Sequence, residues 1–284
     1  FLEQRQLWRL RRWWRLLWRR RQRVVMDRIS STSNPRVKAF ASLKKKRVRA
    51  DTGLFLIEGS REVDRALHAG IEIESVLICR DLLDTPLPSL PDSVGVIELA
   101  EEPMGKVAIR QNPSGVIAVA RQFDTRLERI DLGETPLILI AERVEKPGNL
   151  GAMMRTADAV GVEAVVIADS ATDLFNPNVV RASQGALFLI PLAVATTAEA
   201  IDWVQARDIQ VVGGYPDAPT EIWNVDMTGP TALLVGAEDV GIGAGWDAVA
   251  TPARIPMAGS SDSLNASVSA AVLLYEAVRQ RRIT

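Results

Sequence analysis

With one cysteine and one histidine in 284 residues, the chain carries little metal or redox chemistry. Cys79 alone cannot build a disulfide framework, and Cys79 with His68 cannot supply the three or four ligands of a zinc site or frame a haem. Both read as ordinary residues, a small buried thiol and an imidazole on a helix surface. Long hydrophobic runs are missing as well: "PLILIA" and "ALFLIPLAV" fall well short of the roughly 20 residues that cross a bilayer. No secretory signal pattern is present, so the expected location is the cytoplasm. Phosphate-cradling signatures are also lacking. There is no Walker sequence, "GNLGAMM" lacks the tight spacing of a dinucleotide fingerprint, and "GAEDVGIG" follows a late strand with no ribose-binding acid at the expected distance. An NAD-dependent enzyme is therefore a poor fit.

What is present is segregated charge. The net charge is -1, yet residues 1–49 hold 17 Lys or Arg against two acids, Glu3 and Asp27, while the remainder holds 17 against 33. A basic end of this kind suits a polyanion, of which RNA or DNA is the commonest. The footprint has two parts. "LWRLRRWWRLLWRRRQR" places Leu7, Leu10, Trp14, Leu17 and Trp18 near one helical stripe with arginines around it, the pattern of a cationic amphipathic helix that could anchor to membrane or nucleic acid. Because the first methionine is Met26 and "MDRISSTSNPRVKAF" reads as an ordinary start, residues 1–25 are expected to lie outside the fold, with no membrane association unless that extension is native. "RVKAFASLKKKRVR" (36–49) falls inside the first domain, as either a solvated helix face or a phosphate-contacting patch.

Length and a 47% hydrophobic content suit two globular domains. From Arg36 a basic helix leads to the strand "LFLIEG", the helix "SREVDRALHAG" with Ser60 as cap and Gly70 as stop, and the strand "IESVLIC". A Pro-rich loop, the strand "VGVIEL", the helix around "EEPMGKVA" and the strand "GVIAVA" complete a compact α/β unit over 26–125. The polar, proline-ended stretch 126–136 reads as a linker. From residue 137 to 284, "LILIAERV", "AVVIAD", "LFLIPLAV", "IQVVGGY", "ALLVGAE" and "ARIPMA" are near-continuous apolar strands separated by helical stretches. That pattern is an α/β fold with a buried parallel sheet and βαβ crossovers. Ligands in such sheets gather beyond the carboxyl ends of the strands.

Three strand-end stretches there are rich in Gly, Ser and Asn: "EKPGNLGAMMRTADAVG", "VGAEDVGIG" and "IPMAGSSDSLNASVSAAVLLYEAV". In the first, Pro147 and Gly148 read as a tight turn and Asn149 as the helix cap. Leu150, Met153, Met154, Ala157 and Val160 form the core stripe of the helix, with Gly151, Arg155 and Asp158 on the other side, where Arg155 could simply pair with Asp158.

Taken together and in order, "NLGAMMRTADAVG", "GAEDVG" and "IPMAGSSDSLNASVSA" resemble the three motifs of the SpoU/TrmH class of RNA ribose 2'-O-methyltransferases. The resemblance covers residues 137–280, and the first half resembles the ribosomal-protein-like α/β substrate-binding domain of many members. It implies a trefoil-knotted methyltransferase domain, a homodimer, S-adenosylmethionine as cofactor, and structured RNA as substrate. Large-subunit ribosomal RNA is preferred to transfer RNA; a non-catalytic RNA-binding or ribosome-assembly protein is the competing class. Position by position, Arg155, Asn149, Glu238, Ser263 and Asn265 match the family's functional polar set. Gly236, Ile255 and Leu264 match cofactor-holding positions, with Gly213 and Gly214 at a third loop. A guanidinium with a pKa above about 12 makes a poor general base, so Arg155 is expected to hold a phosphate and stabilise charge on the reacting oxygen. Asn149, Ser263 and Asn265 would fix loops and ribose by hydrogen bonds, and Glu238 would anchor the knot or orient Arg155. Ser263 and Asn265 also suit the start of the last helix, and Arg181 and Ser183 in "NPNVVRASQGALF" are candidates for meeting RNA or a second subunit.

Overall fold

The computed structural model describes residues 26–283 apart from residue 84; the extension over 1–25 lies outside the described residues. The chain divides into two compact units, one running to Phe123 together with Phe175–Pro177, the other comprising Asp124–Leu174 and Asn178 onward.

The first unit runs β1 (Met26–Ile29), α1 (Pro35–Ser42), α2 (Lys46–Thr52), β2 (Leu54–Glu58), α3 (Ser60–His68), β3 (Ile73–Ile78), β4 (Gly95–Leu99), α4 (Glu101–Val107) and β5 (Val116–Arg121). Its sheet has the order β1-β4-β3-β5-β2, parallel from β1 to β3 and antiparallel from β3 to β2. Alternate residues Leu54, Leu56, Leu77, Ile117 and Val119 join Val37, Phe40, Leu43 and Met104 in one core, as the period-2 pleat requires. The basic stretch read as one helix is two. Leu43 turns into the core, and the buried Arg49 pins the elbow by donating from Nη1 to the carbonyls of Leu43 and Lys44, both at 2.8 Å. Edge strand β1 has no apolar pattern of its own and was not legible in the sequence. Ser60 is not the cap of α3 but its first residue, after Gly59.

The second unit runs β6 (Leu137–Glu142), α5 (Pro147–Val160), β7 (Ala164–Ala168), α6 (Pro177–Ser183), β8 (Leu192–Ala195), α7 (Thr197–Gln205), β9 (Gln210–Gly214), β10 (Thr231–Val235), β11 (Ala250–Ala253) and α8 (Ala266–Ile283). Every neighbouring pair in the order β11-β9-β10-β6-β7-β8 is parallel. The strands are buried on both faces, which explains their unbroken apolar runs. α5 and α8 pack together on the sheet, and Trp203 and Trp246 belong to a core cluster with Ile138, Ile140, Val166, Val211 and Leu234. The chain visits β7 and β8, then crosses to β9 and returns to lay β10 beside β6. The switch point of the sheet is therefore the β6/β10 pair, whose carboxyl ends lead into the first two Gly-rich stretches.

Three sequence expectations shift. In "LFLIPLAV" only the second half is strand, because Ala186–Phe188 forms a 3-10 turn. In "ARIPMA" the strand precedes the apolar letters, ending at Ala253 and leaving 254–258 as loop and bridge. Residues 126–136, read as a linker, pack on the second unit. Ile130 joins its core, and Gly133 donates to Glu163 Oε2 at 2.6 Å. Among the described residues no helix is long and apolar enough to cross a membrane.

Two predictions follow from this packing. Arg281 near the end of α8 donates to the carbonyls of Met227 (3.0 Å), Thr135 (2.8 Å), Pro136 (3.1 Å) and Gly229 (2.6 Å), tying the helix to the amino ends of β6 and β10. Arg281→Ala should cost about 2 kcal/mol in equilibrium denaturation, since all four carbonyls lose a charged donor and only those of Pro136 and Gly229 keep another, from Thr231; an unchanged midpoint would contradict the tie. In the first unit, burial pushes the Glu74 carboxyl up to about 7 from 4.5, against the opposing pull of the Arg121 guanidinium beside it. The native protein then holds a proton that the unfolded chain has lost, so stability falls as pH rises from 4.5 to about 7. Glu74→Gln should stabilise by about 1–3 kcal/mol at pH 8, with the gain fading toward pH 4.5; a gain independent of pH would contradict the assignment.

Candidate functional site

Helix α5 starts at the carboxyl end of β6, and Pro147 occupies its first position with Lys146 as the preceding extended residue. Asn149 is therefore the third helical residue and not the cap expected from sequence. With its backbone N–H bonded to the Lys146 carbonyl at 3.0 Å, its side chain is free for other partners. Leu150, Met153, Met154 and Ala157 are fully buried, as their spacing demands. Gly151 is buried as well, against expectation: an added Cβ would lie 2.4 Å from Ala182 Cβ and 2.7 Å from Ser183 N, so only glycine lets α6 approach α5. At the far end Gly161, at φ +74°, closes the helix in the left-handed conformation that the sequence "DAVG" anticipates.

The three motifs meet through side chains. Asn149 Nδ2 donates to Glu238 Oε1, and Asn265 Nδ2 donates to Asn149 Oδ1 at 3.2 Å. Asn265 caps α8, accepting at Oδ1 from Ser267 N (3.0 Å) and Ser267 Oγ (2.7 Å). The polarity of this chain is forced. A backbone N–H can only donate, so the Asn265 oxygen faces Ser267 and its nitrogen faces Asn149; the Asn149 nitrogen must then face Glu238, which accepts as a carboxylate. Lys146 Nζ, 3.3 Å from Glu238 Oε2, adds a cation at the outer end. Lys146 was not singled out from sequence, because a lysine before a Pro-Gly turn looks like any solvated charge.

The other candidates take different places. Arg155 is exposed on α5 and has no hydrogen bond or ion pair among the described residues, so the pairing with Asp158 is not formed. Ser263 is exposed and takes no part in capping α8. Ile255 and Leu264 are half-buried on the last Gly/Ser-rich loop. Gly236, directly after β10, sits against the turn it initiates. A Cβ there would stand 2.2 Å from the Gly241 carbonyl carbon, and Ala237 and Gly241 exchange backbone hydrogen bonds at 3.1 and 3.0 Å. Gly214 ends β9, where a Cβ would come within 3.3 Å of Leu273 Cδ1; at Gly213 it would meet the Tyr215 ring at 2.5 Å. The loops after β9 and β10 thus have glycine at the points of closest approach. Ser183 is fully buried and bonded locally to the Val180 carbonyl at 2.8 Å, so it cannot reach RNA or a second subunit, whereas Arg181 is exposed.

Sequence reasoning missed Glu142. This last residue of β6 is buried, and its carboxylate accepts from Gly243 N (2.7 Å), Thr197 Oγ1 (2.8 Å) and Trp246 Nε1 (3.1 Å), with Arg143 Nη2 at 3.5 Å. Four donors around one buried carboxylate offset its desolvation and lock the 243–246 turn to the central strand. Arg143 itself is held at φ +50°, a conformation costly for an arginine and common at functional loops. The available signal was an acid closing an otherwise apolar strand. Burial, with Asp247 and Glu142 nearby, pushes the Tyr215 hydroxyl above its ordinary value.

Comparison with known proteins places this geometry. The SpoU rRNA Methylase family matches residues 136–275, and an MRM3-like substrate binding domain matches residues 34–118. A 23S rRNA (uridine(2479)-2'-O)-methyltransferase of Streptomyces viridochromogenes is 34% identical, over 92% of this chain and 96% of its own length. The 23S rRNA (guanosine(2553)-2'-O)-methyltransferase RlmP of Bacillus subtilis is 31% identical, over 88% and 98%. The crystal structure of an AdoMet-bound rRNA methyltransferase from Sinorhizobium meliloti superposes with a TM-score of 0.80 at 31% identity, covering 89% of this chain and 97% of its own. The chain belongs to the SpoU rRNA methylase family.

Proposed function

We propose that this protein transfers a methyl group from S-adenosylmethionine to a ribose 2'-hydroxyl of large-subunit ribosomal RNA. The observation that carries the reading is the side-chain chain from Ser267 through Asn265 and Asn149 to Glu238, which joins the three family motifs, while Arg155 on the same helix as Asn149 is left without a fold contact. The curated relatives named above support the substrate class. They also act on different bases, a uridine and a guanosine, so the family alone does not select the nucleotide. Cytoplasmic action, a trefoil knot and a homodimer belong to the same proposal. The return of β10 between β9 and β6 is the kind of threading a knot requires. Exposed Val268 and Tyr275, with half-buried Val272 between them on α8, form an i, i+4, i+7 apolar stripe fit for a second copy.

The loops suit the cofactor. Gly214, Gly236 and the half-buried Ile255 and Leu264 offer close backbone and apolar surface with no charged side chain among them, a setting for a flat, partly apolar nucleoside. Bound there, S-adenosylmethionine supplies an electrophilic sulfonium methyl. The protein's own task is to bring the 2'-oxygen in line and to stabilise the charge that develops on it. Arg155 supplies a permanent cation and a rigid fork of donors, able to hold the adjacent phosphate while polarising the hydroxyl. Its proton stays in place, and the hydroxyl proton leaves to phosphate or water. Asn149, held by Glu238 and Asn265, and Ser263 on the exposed loop orient the ribose. Lys146 pairs with Glu238 at the outer end of the chain.

Arg155→Ala should lower kcat by about a hundredfold or more, the scale of losing one preorganised electrostatic group, while leaving cofactor affinity within about threefold. Arg155→Lys should recover only part, because a point charge lacks the fork. The assay is transfer of radiolabelled methyl to total RNA that lacks the modification, with ribosomal and transfer fractions separated. Equal turnover in Arg155→Ala would overturn its role; label confined to transfer RNA would reassign the substrate, and absence of both transfer and cofactor binding would favour a non-catalytic RNA-binding protein.

A further inference from the structure

We propose that the first unit grips double-helical RNA by its phosphate backbone alone, through ammonium groups at the α1–α2 elbow, and reads no bases. The inference rests on the RNA methyltransferase reading and specifies how substrate is held. From residue 28 to residue 50 the chain has eight Lys or Arg and no acid. Not all of these are available. Arg49 is buried and braces the elbow, and Lys44 is spent on the carbonyls of Lys106 (2.9 Å) and Ala108 (2.6 Å). Burial lowers the Lys44 ammonium, with Glu58 opposing, as expected of a brace. Lys106 in turn donates to the Thr32 carbonyl at 2.9 Å. These ties join α1, the elbow and the carboxyl end of α4 into one platform.

Arg28 pairs with Asp81, and Arg36 and Arg47 have partners of their own, which leaves Lys38, Lys45 and Lys46, exposed and without an ion pair among the described residues. The nearest acid in sequence is Asp51, on α2, and Glu101 and Glu102 lie at the opposite end of α4 from Lys106. Three free ammonium groups on a braced elbow, unopposed by carboxylates, favour a ligand that is itself a dense line of charges. A nucleic-acid backbone is such a ligand.

The rest of the unit's surface narrows the ligand further. Its Phe residues among those described, Phe40, Phe55, Phe123 and Phe175, are buried or half-buried, and it has no described Tyr or Trp. The exposed large hydrophobics of the described chain, Leu189, Val194, Trp223, Val240, Met257, Val268 and Tyr275, all lie in the second unit. Single-stranded RNA is recognised by stacking unpaired bases on exposed aromatic rings, and the described residues of this unit offer no exposed Phe, Tyr or Trp. Interfacial membrane binding needs an apolar wedge beside the cations, and the described residues of this unit expose no large hydrophobic side chain. A charged surface of this kind fits the outside of a helix, where phosphates and sugars face the protein and sequence stays hidden. Base choice then falls to the methyltransferase unit.

The test is fluorescence anisotropy of the full chain on a labelled RNA hairpin across a salt series. It compares wild type with Lys38→Glu/Lys45→Glu/Lys46→Glu and with the neutral Lys45→Ala/Lys46→Ala. Three phosphate contacts predict that the triple variant loses about tenfold or more in affinity near physiological salt, and that its log–log salt slope falls by about three. The loss should be equal on hairpins of unrelated sequence, with S-adenosylmethionine affinity and thermal midpoint unchanged. The neutral pair should show a smaller loss and a slope change of about two. Unchanged affinity and slope in both variants would overturn the proposal, as would a loss confined to single strands or to one sequence; a loss confined to phosphatidylserine vesicles would assign the patch to lipid instead. If wild type neither binds nor methylates any RNA, the functional reading itself fails, an outcome distinct from a fully active triple variant.

Discussion

The Glu238 carboxylate has to accept a hydrogen bond from Asn149, and much of the site depends on that constraint. It originates in the backbone: the first turn of α8 presents an N–H at Ser267 that only an acceptor can satisfy, and this fixes which way Asn265 points. Asn265 then fixes Asn149, and Asn149 fixes Glu238. One unalterable donor at a helix start thereby sets the polarity of a chain that spans the loop after β6, the loop after β10 and the loop before α8. Amide side chains are the residues able to relay such polarity, since each carries a donor and an acceptor at one end. An ionised aspartate, which can only accept, could not take the place of either asparagine.

A second clamp works beneath the first. Glu142 locks the 243–246 turn to β6, and Gly236 lets the loop after β10 fold against Gly241. The loops are therefore held from the sheet side by a buried carboxylate and from the helix side by the asparagine chain. Arg155 stands apart from both, on a helix whose opposite stripe is fully buried. A cation left out of every fold contact is the group free to act on a substrate.

Much of this was legible in the residues. The parallel sheet announced itself through unbroken apolar runs, and the helix stop at Gly161 through its glycine. The motif spacing brought Asn149, Glu238 and Asn265 into one family pattern, and the structure puts those three in contact. What was not legible has physical reasons. β1 is an edge strand with one buried apolar position assigned, too little for a period to show. The elbow in 36–49 depends on Arg49 reaching back to the carbonyls of Leu43 and Lys44, a contact that hydropathy does not show. Asn149 looked like a cap because it follows Pro-Gly, but Pro147 is itself a sound first residue for a helix and moves the start three positions earlier. Glu142 and Lys146 act through partners roughly 100 residues away, at Gly243 and Glu238, which no local pattern encodes.

The central claim is that polarity, and not charge alone, holds the three loops. The direct measurement is S-adenosylmethionine affinity by calorimetry for two nearly isosteric variants, Asn149→Asp and Glu238→Gln. Aspartate cannot donate to Glu238 and adds a like charge beside it, whereas glutamine still presents an accepting oxygen. The account predicts that Asn149→Asp weakens binding about tenfold or more while Glu238→Gln stays within about threefold, in line with the cost of an unsatisfied against a preserved hydrogen bond. Equal losses, or the larger loss in Glu238→Gln, would show that the carboxylate's charge carries the site and would contradict the account.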